Sequence, residues 1–219
     1  MQKTTLLFDF DLTLADSSQG IFKCISYALN KMAYKNIDYE TIKLTIGHSL
    51  KETFRILTGN SNHEKATQFT TLFVEKADEI MNDNTVIFPE VFELLPKIKE
   101  LGFKTGIVST KYGYRIQGVL KRDGLSPYFD IIVGGDDVKN HKPNPEGLLL
   151  AINKLNVEKN EVLYIGDSMV DAEAAKLGEV DFVAVLTGTV TKEMFFEKKY
   201  QQTISNLHDL TEYIRINFS

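Results

Sequence analysis

The sequence predicts an α/β fold in which a doubly wound parallel sheet forms the core and an α-helical cap domain is inserted into it. After about residue 85, short apolar runs alternate with segments of helical periodicity, which favours parallel strands joined by right-handed crossovers. One further apolar run lies near the N-terminus, before a stretch with helical periodicity alone. We therefore expect residues 1–14 and 85–219 to form a Rossmann-like core and residues 15–84 to form the cap.

Five short apolar runs are the predicted strands, and each ends in polar or turn-forming residues, as buried strands do where they meet a loop. They cover residues 6–10, 103–109, 129–133, 162–167 and 181–185. Ligands of open parallel sheets bind beyond the carboxyl ends of the strands. Asp9, Ser109 and Asp167 fall at such ends, so we expect them to share one edge of the sheet.

The segments between these runs repeat apolar residues at helical spacing. In the core they cover residues 91–101, 116–122, 145–155 and 172–177, and a closing amphipathic helix is expected at 206–216. In the cap the clearest helices are residues 20–32 and 63–81. Because the insertion leaves after the first strand and returns before Phe88-Pro89, its two connections should lie close together over the edge that carries Asp9.

Composition restricts the classes of function. A chain of 219 residues, 43% of them hydrophobic, can bury one large core or a core with a smaller insertion. The net charge of −5 and the lack of a Lys/Arg-dense stripe argue against a nucleic-acid partner. The N-terminal apolar run is too short for a secretory or membrane segment, so we expect a cytoplasmic protein without a membrane partner. Cys24, the single cysteine, is expected on the apolar face of a helix.

Two carboxylates stand two positions apart where the first strand gives way to a loop, in Asp9-Phe10-Asp11-Leu12-Thr13. In an extended strand such residues point to the same side. Carboxylates held close together repel, and a divalent cation with oxygen ligands would offset that repulsion. A pair of turn-forming or helix-capping aspartates is the alternative, and this motif alone does not decide between the two.

A second acidic motif, Gly166-Asp167-Ser168-Met169-Val170-Asp171, follows the fourth apolar run. Asp167 should emerge at the strand end and Asp171 one helical turn later, so both can face the cavity that holds Asp9. Either aspartate could instead cap the helix that begins near Ser168. Four carboxylates at one sheet edge would be unfavourable without a cation, so the two motifs together favour metal binding.

Lys142 lies in a loop stiffened by prolines, His141-Lys142-Pro143-Asn144-Pro145-Glu146. Pro145 suits the first turn of the following helix, which would fix the direction of the lysine. An acidic cavity that handles phosphate needs a cation opposite the metal, and Lys142 is the candidate, although most lysines are solvated surface residues. Ser109 and Thr110 would add hydroxyl donors at the second strand end, or act there as turn formers.

Taken in order, these motifs resemble the four motifs of the haloacid dehalogenase-like hydrolase superfamily. The resemblance spans the chain and is carried by Asp9-x-Asp11-x-Thr13, Ile107-Val108-Ser109, Lys142-Pro143 and Gly166-Asp167 to Asp171. The cap, with Asp16-Ser17 and Ile46-Gly47, is similar to that of the subfamily that contains phosphoglycolate phosphatases, pyrophosphatases and β-phosphoglucomutases.

The resemblance implies Mg²⁺-dependent phosphoryl transfer in two steps. Asp9 would attack phosphorus and form an aspartyl-phosphate that water then cleaves, while Asp11 protonates the leaving oxygen and later deprotonates the water. Asp9, the backbone carbonyl of Asp11 and Asp167 would hold Mg²⁺. Asp171 would be a further ligand or would steady the others, and Lys142 would pair with Asp9.

Phosphate binding falls, by the same resemblance, to Ser109 and Lys142, which would hold the phosphoryl oxygens, with Thr110 beside them. Thr13 would hydrogen-bond within its loop and keep Asp11 oriented. The substrate would be a small phosphorylated metabolite selected by cap residues that close over the site.

Asp11 separates this chain from two other branches of the superfamily. Haloacid dehalogenases usually lack an acid at this place, and phosphonatases typically carry alanine there. β-Phosphoglucomutases share both aspartates but usually present an arginine three residues after the cap glycine, where this chain has Leu50 beside Lys51. Hydrolysis is therefore favoured, with mutase activity served by Lys51 as the alternative.

Two classes outside these enzymes are less compatible with the sequence. A phosphoacceptor signalling domain would be about half as long, and a binding protein without catalysis would be expected to lack Asp9 or Asp11. His48, Ser49 and Lys51 are candidates for substrate contact, although histidines such as His48 lie more often at surfaces or between domains. Phosphoglycolate, pyrophosphate, a sugar phosphate and a nucleotide remain open as substrates, as does the choice between a monomer and a homodimer.

Overall fold

The computed structural model describes residues 3–35, 37–200 and 202–218. The strands within these residues are β1 (Thr5–Phe8), β2 (Ala15–Asp16), β3 (Val86–Ile87), β4 (Lys104–Val108), β5 (Ile131–Val133), β6 (Val162–Gly166), β7 (Asp181–Val185) and β8 (Thr203–Ile204). Six of them form a sheet in the order β5-β4-β1-β6-β7-β8, in which every neighbouring pair is parallel. The predicted parallel sheet is confirmed. The two-residue strand β8 was not predicted, because so short a run carries no periodic signal.

Helices connect the strands. They are α1 (Ser18–Lys31), α2 (Tyr39–Lys43), α3 (Leu50–Thr58), α4 (His63–Ile80), α5 (Pro89–Glu100), α6 (Gly113–Arg122), α7 (Glu146–Leu155), α8 (Met169–Gly178), α9 (Lys192–Glu197) and α10 (Leu210–Phe218). Helix α5 begins at Pro89, since the fixed φ and missing N–H of proline suit a first helical turn. Among the described residues, no helix combines the length and the apolarity needed to cross a membrane.

Alternate side chains of the central strands pack on opposite faces of the sheet, as strand geometry requires. Leu6 and Phe8 of β1 belong to one apolar cluster with side chains of α5, α6 and α10. Leu7, between them, belongs to a second cluster with side chains of α7 and α8. All three residues are fully buried, so helices cover both faces of the sheet.

Four helices between residues 15 and 84 share an apolar cluster of their own. The contributions of α1 and α4 follow helical spacing. These residues are Ile21, Cys24, Ile25, Ala28 and Leu29 from α1 and Ala66, Phe69, Phe73 and Ala77 from α4. The short strands β2 and β3 pair antiparallel, with Ala15 opposite Ile87, so the two connections of this segment lie side by side.

Gly106 of β4 lies where a side chain has no room. A Cβ atom there would lie 2.5 Å from Ile131 Cγ2 and 2.8 Å from Leu7 Cδ2. We expect Gly106→Ala to lower the free energy of unfolding by about 1–3 kcal/mol through overpacking, measured by urea denaturation. The matched control is Gly118→Ala in α6, where the nearest atom to a new Cβ is Asn82 Oδ1 at 3.6 Å. The control should raise stability by up to about 1 kcal/mol, because alanine favours helix; equal losses in both variants would contradict this packing.

Candidate active site

Three neighbouring strands of the sheet end in polar residues. Asp9 follows β1, Ser109 follows β4 and Asp167 follows β6, and the strand order places β1 between the other two. The sheet hydrogen bonding extends to two of these residues, from Asp9 N to Ile165 O at 2.9 Å and from Ser109 N to Val133 O at 3.0 Å. All three are buried, so the sheet holds them at its carboxyl edge.

Three carboxylates gather at this edge. Oxygens of Asp9, Asp167 and Asp171 lie within 4.8 Å of one another, and each residue is at most 4% exposed. Lys142 Nζ lies among them, 2.9 Å from Asp9 Oδ1 and 2.5 Å from Asp171 Oδ1. Because one ammonium group faces three carboxylates, the fully ionised cluster carries excess negative charge. The structure thus brings together four residues that were predicted from three separate motifs.

Both oxygens of Asp171 are engaged by protein donors. Oδ1 accepts hydrogen bonds from Lys142 Nζ and from the Tyr164 hydroxyl at 2.8 Å. Oδ2 accepts from the backbone N–H of Ser168 at 3.1 Å and from the Ser168 hydroxyl. Ser168 is the N-cap of α8, so Asp171 completes a capping box while it also orients Lys142.

Asp9 and Asp167, in contrast, are engaged by fewer protein donors. Asp9 Oδ1 lies 2.9 Å from Lys142 Nζ, the ammonium group that it shares with Asp171. Asp167 Oδ1 accepts from Thr13 Oγ1 at 2.9 Å, and no donor among the described residues reaches its Oδ2. Carboxylate oxygens with few protein donors, in a buried cluster with excess negative charge, are the ligands that a hard divalent cation prefers. These residues therefore fit a metal such as Mg²⁺.

The acid–base properties of the cluster agree with this fit. Burial raises the pKa of Asp9 to about 6. The Lys142 ammonium opposes this increase and the Asp171 carboxylate adds to it. Burial, together with Asp171 and Asp9, raises the pKa of Asp167 well above its usual range. For Lys142, burial alone would lower the pKa, but the Asp171 and Asp9 carboxylates raise it above its ordinary value. Lys142 is therefore charged, whereas burial and repulsion disfavour the ionised forms of Asp9 and Asp167, which a bound cation would favour.

Asp11 takes part in a different interaction from its neighbour Asp9. Its Oδ1 accepts a hydrogen bond from Lys111 Nζ at 2.8 Å and another from the Ser17 hydroxyl. We expected Thr13 to orient Asp11, but the hydroxyl of Thr13 donates to Asp167. The turn after β1 explains this difference. Leu14 N bonds to Phe10 O at 2.9 Å, and Thr13 within this turn lies beside Asp167 at the end of β6.

The remaining predicted residues lie near Gly47. Thr110 Oγ1 donates to Gly47 O at 3.3 Å, which links the loop after β4 to the segment of residues 15–84. Gly47 has a φ of +97°, and a Cβ there would lie 3.3 Å from Ser168 Oγ, so both conformation and space favour glycine. His48 is half-buried, and burial lowers its pKa. Lys51 is exposed.

A cavity lies between the strand-end loops and the helices of residues 15–84. The core contributes Asp11, Thr110, Lys111, Tyr112 and Arg115 to its lining, and residues 15–84 contribute Ile21, Ile25, Thr45, Ile46, Gly47, His48, Leu50, Thr53, Phe73 and Met81. Lys51 is not among the lining residues, and none of the described lining residues from the cap is a lysine or arginine. The two lining cations from the core are already paired, Lys111 with Asp11 and Arg115 with Asp78 at 2.7 Å.

Sequence reasoning did not find four polar residues around this site: Ser17 as a partner of Asp11, Lys111, Arg115 and Tyr164. Lys111 had one available signal, since it follows the strand-end pair Ser109-Thr110 directly. Tyr164 stands within an apolar strand, where packing is the ordinary role of an aromatic residue. Arg115 pairs with Asp78, which lies 37 positions away, and the spacing of residues along the sequence does not reveal such a pair.

Comparison with known proteins gives matches over most of the chain. Residues 6–185 match the family model described as haloacid dehalogenase-like hydrolase. A pyrophosphatase PpaX from Listeria monocytogenes is 36% identical over 177 residues, 80% of this chain and 80% of that protein. A phosphoglycolate phosphatase from Colwellia psychrerythraea is 30% identical over 194 residues, 85% of this chain and 86% of that protein. The crystal structure of a haloacid dehalogenase-like hydrolase from Bacteroides fragilis has a TM-score of 0.93 at 45% identity and covers 95% of this chain and 100% of that one.

Without divalent cations, ionisation of Asp9 should destabilise the folded state. Its pKa of about 6 lies above the ordinary value of 3.8, so the folded protein binds this proton more tightly than the unfolded chain. The destabilisation is therefore absent below about pH 4 and grows as the pH rises through about 6. With EDTA present, we expect the stability of Asp9→Asn relative to wild type to increase over this range, measured by urea denaturation.

The control for this comparison is Asp181→Asn, which changes an aspartate paired with Lys3 at the opposite edge of the sheet. This variant should show no such gain with rising pH. A stability difference between Asp9→Asn and wild type that stays constant with pH would contradict the raised pKa of Asp9.

Proposed function

Because the chain belongs to the haloacid dehalogenase-like hydrolase family, we propose that it is a Mg²⁺-dependent phosphatase that cleaves a small phosphorylated metabolite through an aspartyl-phosphate on Asp9. The family, together with relatives named pyrophosphatase and phosphoglycolate phosphatase, supports a phosphoric ester hydrolase. The observation that carries the finer proposal is the arrangement of the two motif aspartates. Asp9 lies in a buried acidic cluster that shares one ammonium group, while Asp11 is held separately at the wall of the cavity.

In the first step of the proposed reaction, a carboxylate oxygen of Asp9 forms a bond to phosphorus as the bond from phosphorus to the leaving oxygen breaks. Asp11 gives its proton to that oxygen, so the leaving group departs with a hydroxyl in place of an oxyanion. The Ser109 hydroxyl and the Lys142 ammonium would bind the non-bridging phosphoryl oxygens. Both groups are buried. Lys142 lies next to Asp9 and Ser109 lies at the end of the neighbouring strand β4, which supports this role.

In the second step, water attacks phosphorus and the bond from phosphorus to the Asp9 oxygen breaks, which releases phosphate and restores the carboxylate. Asp11, now deprotonated, accepts the proton of the attacking water. The same side chain thus donates one proton and recovers one in each cycle. This requires Asp11 to keep one oxygen accessible, and the hydrogen bonds of the described residues engage its Oδ1 alone.

We assign the metal to Asp9, Asp167 and the backbone carbonyl of Asp11. Mg²⁺ bound there would offset the repulsion between the carboxylate nucleophile and the anionic phosphate. We assign Asp171 the role of orienting Lys142, because ligation by Asp171 would require it to give up donors that already satisfy both of its oxygens. Thr13, bonded to Asp167, would orient that ligand.

Residues 15–84 would act as the cap that selects the substrate. Their helices supply most of the cavity lining, and the Thr110–Gly47 hydrogen bond joins them to the phosphate-binding edge. His48 is the polar side chain from this segment that best fits a substrate contact, since it is half-buried and lines the cavity. The exposed Lys51 has no comparable support, because it lies outside that lining.

The names of the pyrophosphatase and phosphoglycolate phosphatase relatives indicate two substrates to test on this protein. We propose that this protein acts on one of these or on a similarly small phosphorylated compound. Initial rates of phosphate release with Mg²⁺, measured across pyrophosphate, phosphoglycolate, sugar phosphates and nucleotides, identify the preferred one.

We expect Asp9→Asn to lower the rate of p-nitrophenyl phosphate hydrolysis by at least about 10³-fold, because an amide oxygen cannot replace the nucleophile. The circular dichroism spectrum should stay close to that of wild type. Asp181→Asn, at the opposite edge of the sheet, should retain wild-type activity. Comparable turnover by Asp9→Asn and wild type would remove the nucleophile assignment.

With glucose 1-phosphate as the substrate, we expect release of free phosphate to exceed isomerisation. A mutase must hold a second phosphate, and the cap offers no lysine or arginine among the described residues that line the cavity. Phosphate release is measured by a colorimetric assay and isomerisation by a coupled assay for glucose 6-phosphate. Isomerisation that outpaces hydrolysis would establish the mutase alternative.

A further inference from the structure

The ion pair between Lys111 and Asp11 has no role in the reaction steps given above. Its atoms Nζ and Oδ1 lie 2.8 Å apart, and the side chains are 5% and 11% exposed. A buried ion pair adds little net stability compared with apolar residues of the same volume, because both charges lose their hydration. A contribution to global stability is therefore a weak explanation for this pair, and its position at the cavity wall suggests a role in the site.

The contacts of Asp11 are asymmetric. Oδ1 accepts from both Lys111 Nζ and the Ser17 hydroxyl, whereas no donor among the residues that the structure describes reaches Oδ2. These two donors come from different parts of the chain, because Ser17 precedes α1 and Lys111 follows β4. Together they restrict rotation of the carboxyl group and leave one oxygen available.

This arrangement tolerates a change in protonation. The oxygen that carries no proton is a hydrogen-bond acceptor in both the ionised and the protonated carboxyl group. If the proton enters and leaves at Oδ2, the hydrogen bonds from Lys111 and Ser17 to Oδ1 persist through both steps of the reaction. The acid/base would then return to the same geometry after each transfer.

Lys111 is itself held in place. Its backbone N–H donates to Ser109 Oγ at 3.3 Å, and its carbonyl accepts from Gly135 N at 3.0 Å. Its ammonium group lies 5.6 Å from the centroid of the Phe10 ring, a favourable cation–π distance. Lys111 thus connects the loop that would bind the phosphoryl group to the side chain that would protonate the leaving oxygen.

We propose that Lys111 is a positioning residue, which holds Asp11 through Oδ1 so that Oδ2 faces the leaving oxygen of the substrate. This inference rests on the proposed role of Asp11 as the acid/base. If it holds, substitution of Lys111 slows the reaction most for substrates whose leaving group most needs a proton. The substitution should have no effect on the rate when Asp11 cannot transfer a proton.

The test compares kcat/KM for ethyl phosphate and p-nitrophenyl phosphate. Ethoxide is a strong base and needs a proton to leave, whereas p-nitrophenolate is a weak base and can leave as the anion. We expect Lys111→Met to lower kcat/KM for ethyl phosphate by about 10²-fold and that for p-nitrophenyl phosphate by less than about tenfold. The KM values should stay near wild type. In an Asp11→Asn background, Lys111→Met should have no further effect, because the two residues act as a unit.

Two further variants complete the test. Lys111→Gln keeps an N–H donor for Oδ1 and should recover part of the loss with ethyl phosphate, and it decides the matter if Lys111→Met fails to fold by circular dichroism. Lys3→Met is the matched control, since Lys3 is a similarly buried lysine paired with Asp181 at the other end of the sheet. It should leave both kcat/KM values within about twofold of wild type.

Equal losses for the two esters, additive effects in the double variant, or a raised KM with unchanged kcat would each overturn the positioning role. A raised KM would instead indicate that Lys111 binds the substrate directly. If wild type releases phosphate from neither ester with Mg²⁺ present, the proposed function fails first, and this outcome is distinct from a failure confined to Lys111.

Discussion

The repulsion among buried carboxylates at the carboxyl edge of the sheet is the constraint around which this structure is organised. Asp9, Asp167 and Asp171 lie within 4.8 Å of one another and share the single charge of Lys142. Tyr164 and Ser168 also donate to Asp171, whereas Asp9 Oδ1 has the shared Lys142 as its one cationic neighbour within the described part of the chain. The fold therefore keeps a cluster that is unfavourable by itself and that a bound cation would stabilise, as is common where stability is traded for function.

The parallel sheet makes this concentration of charge feasible. Adjacent strands lie about 4.8 Å apart, so residues at the ends of neighbouring strands meet whatever their distance along the chain. The order β4-β1-β6 brings Ser109 and Asp167 to either side of Asp9. Apolar clusters on both faces fix the strands, and that rigidity holds the acidic groups in place against their repulsion.

Asp9 and Asp11 are two residues apart, yet they occupy different electrostatic surroundings. Asp9 faces two other carboxylates, whereas Asp11 is paired with Lys111 and the hydroxyl of Ser17. Neighbouring carboxyl groups can serve as nucleophile and as acid/base when their environments differ in this way. The chain turns directly after β1, and within this turn Asp11 pairs with Lys111 of the loop that follows β4.

By itself, the sequence determined the α/β class, the five longer strands of the main sheet and the motifs whose residues meet at its edge. These features follow from local periodicity and from the rule that parallel strands present their carboxyl ends together. The tertiary structure alone decided that Thr13 bonds to Asp167, that Asp171 is satisfied by Tyr164 and Ser168, and that Lys111 pairs with Asp11. Periodicity reports which face of an element is buried, whereas a hydrogen bond between residues 100 positions apart depends on strand order and on the path of each loop.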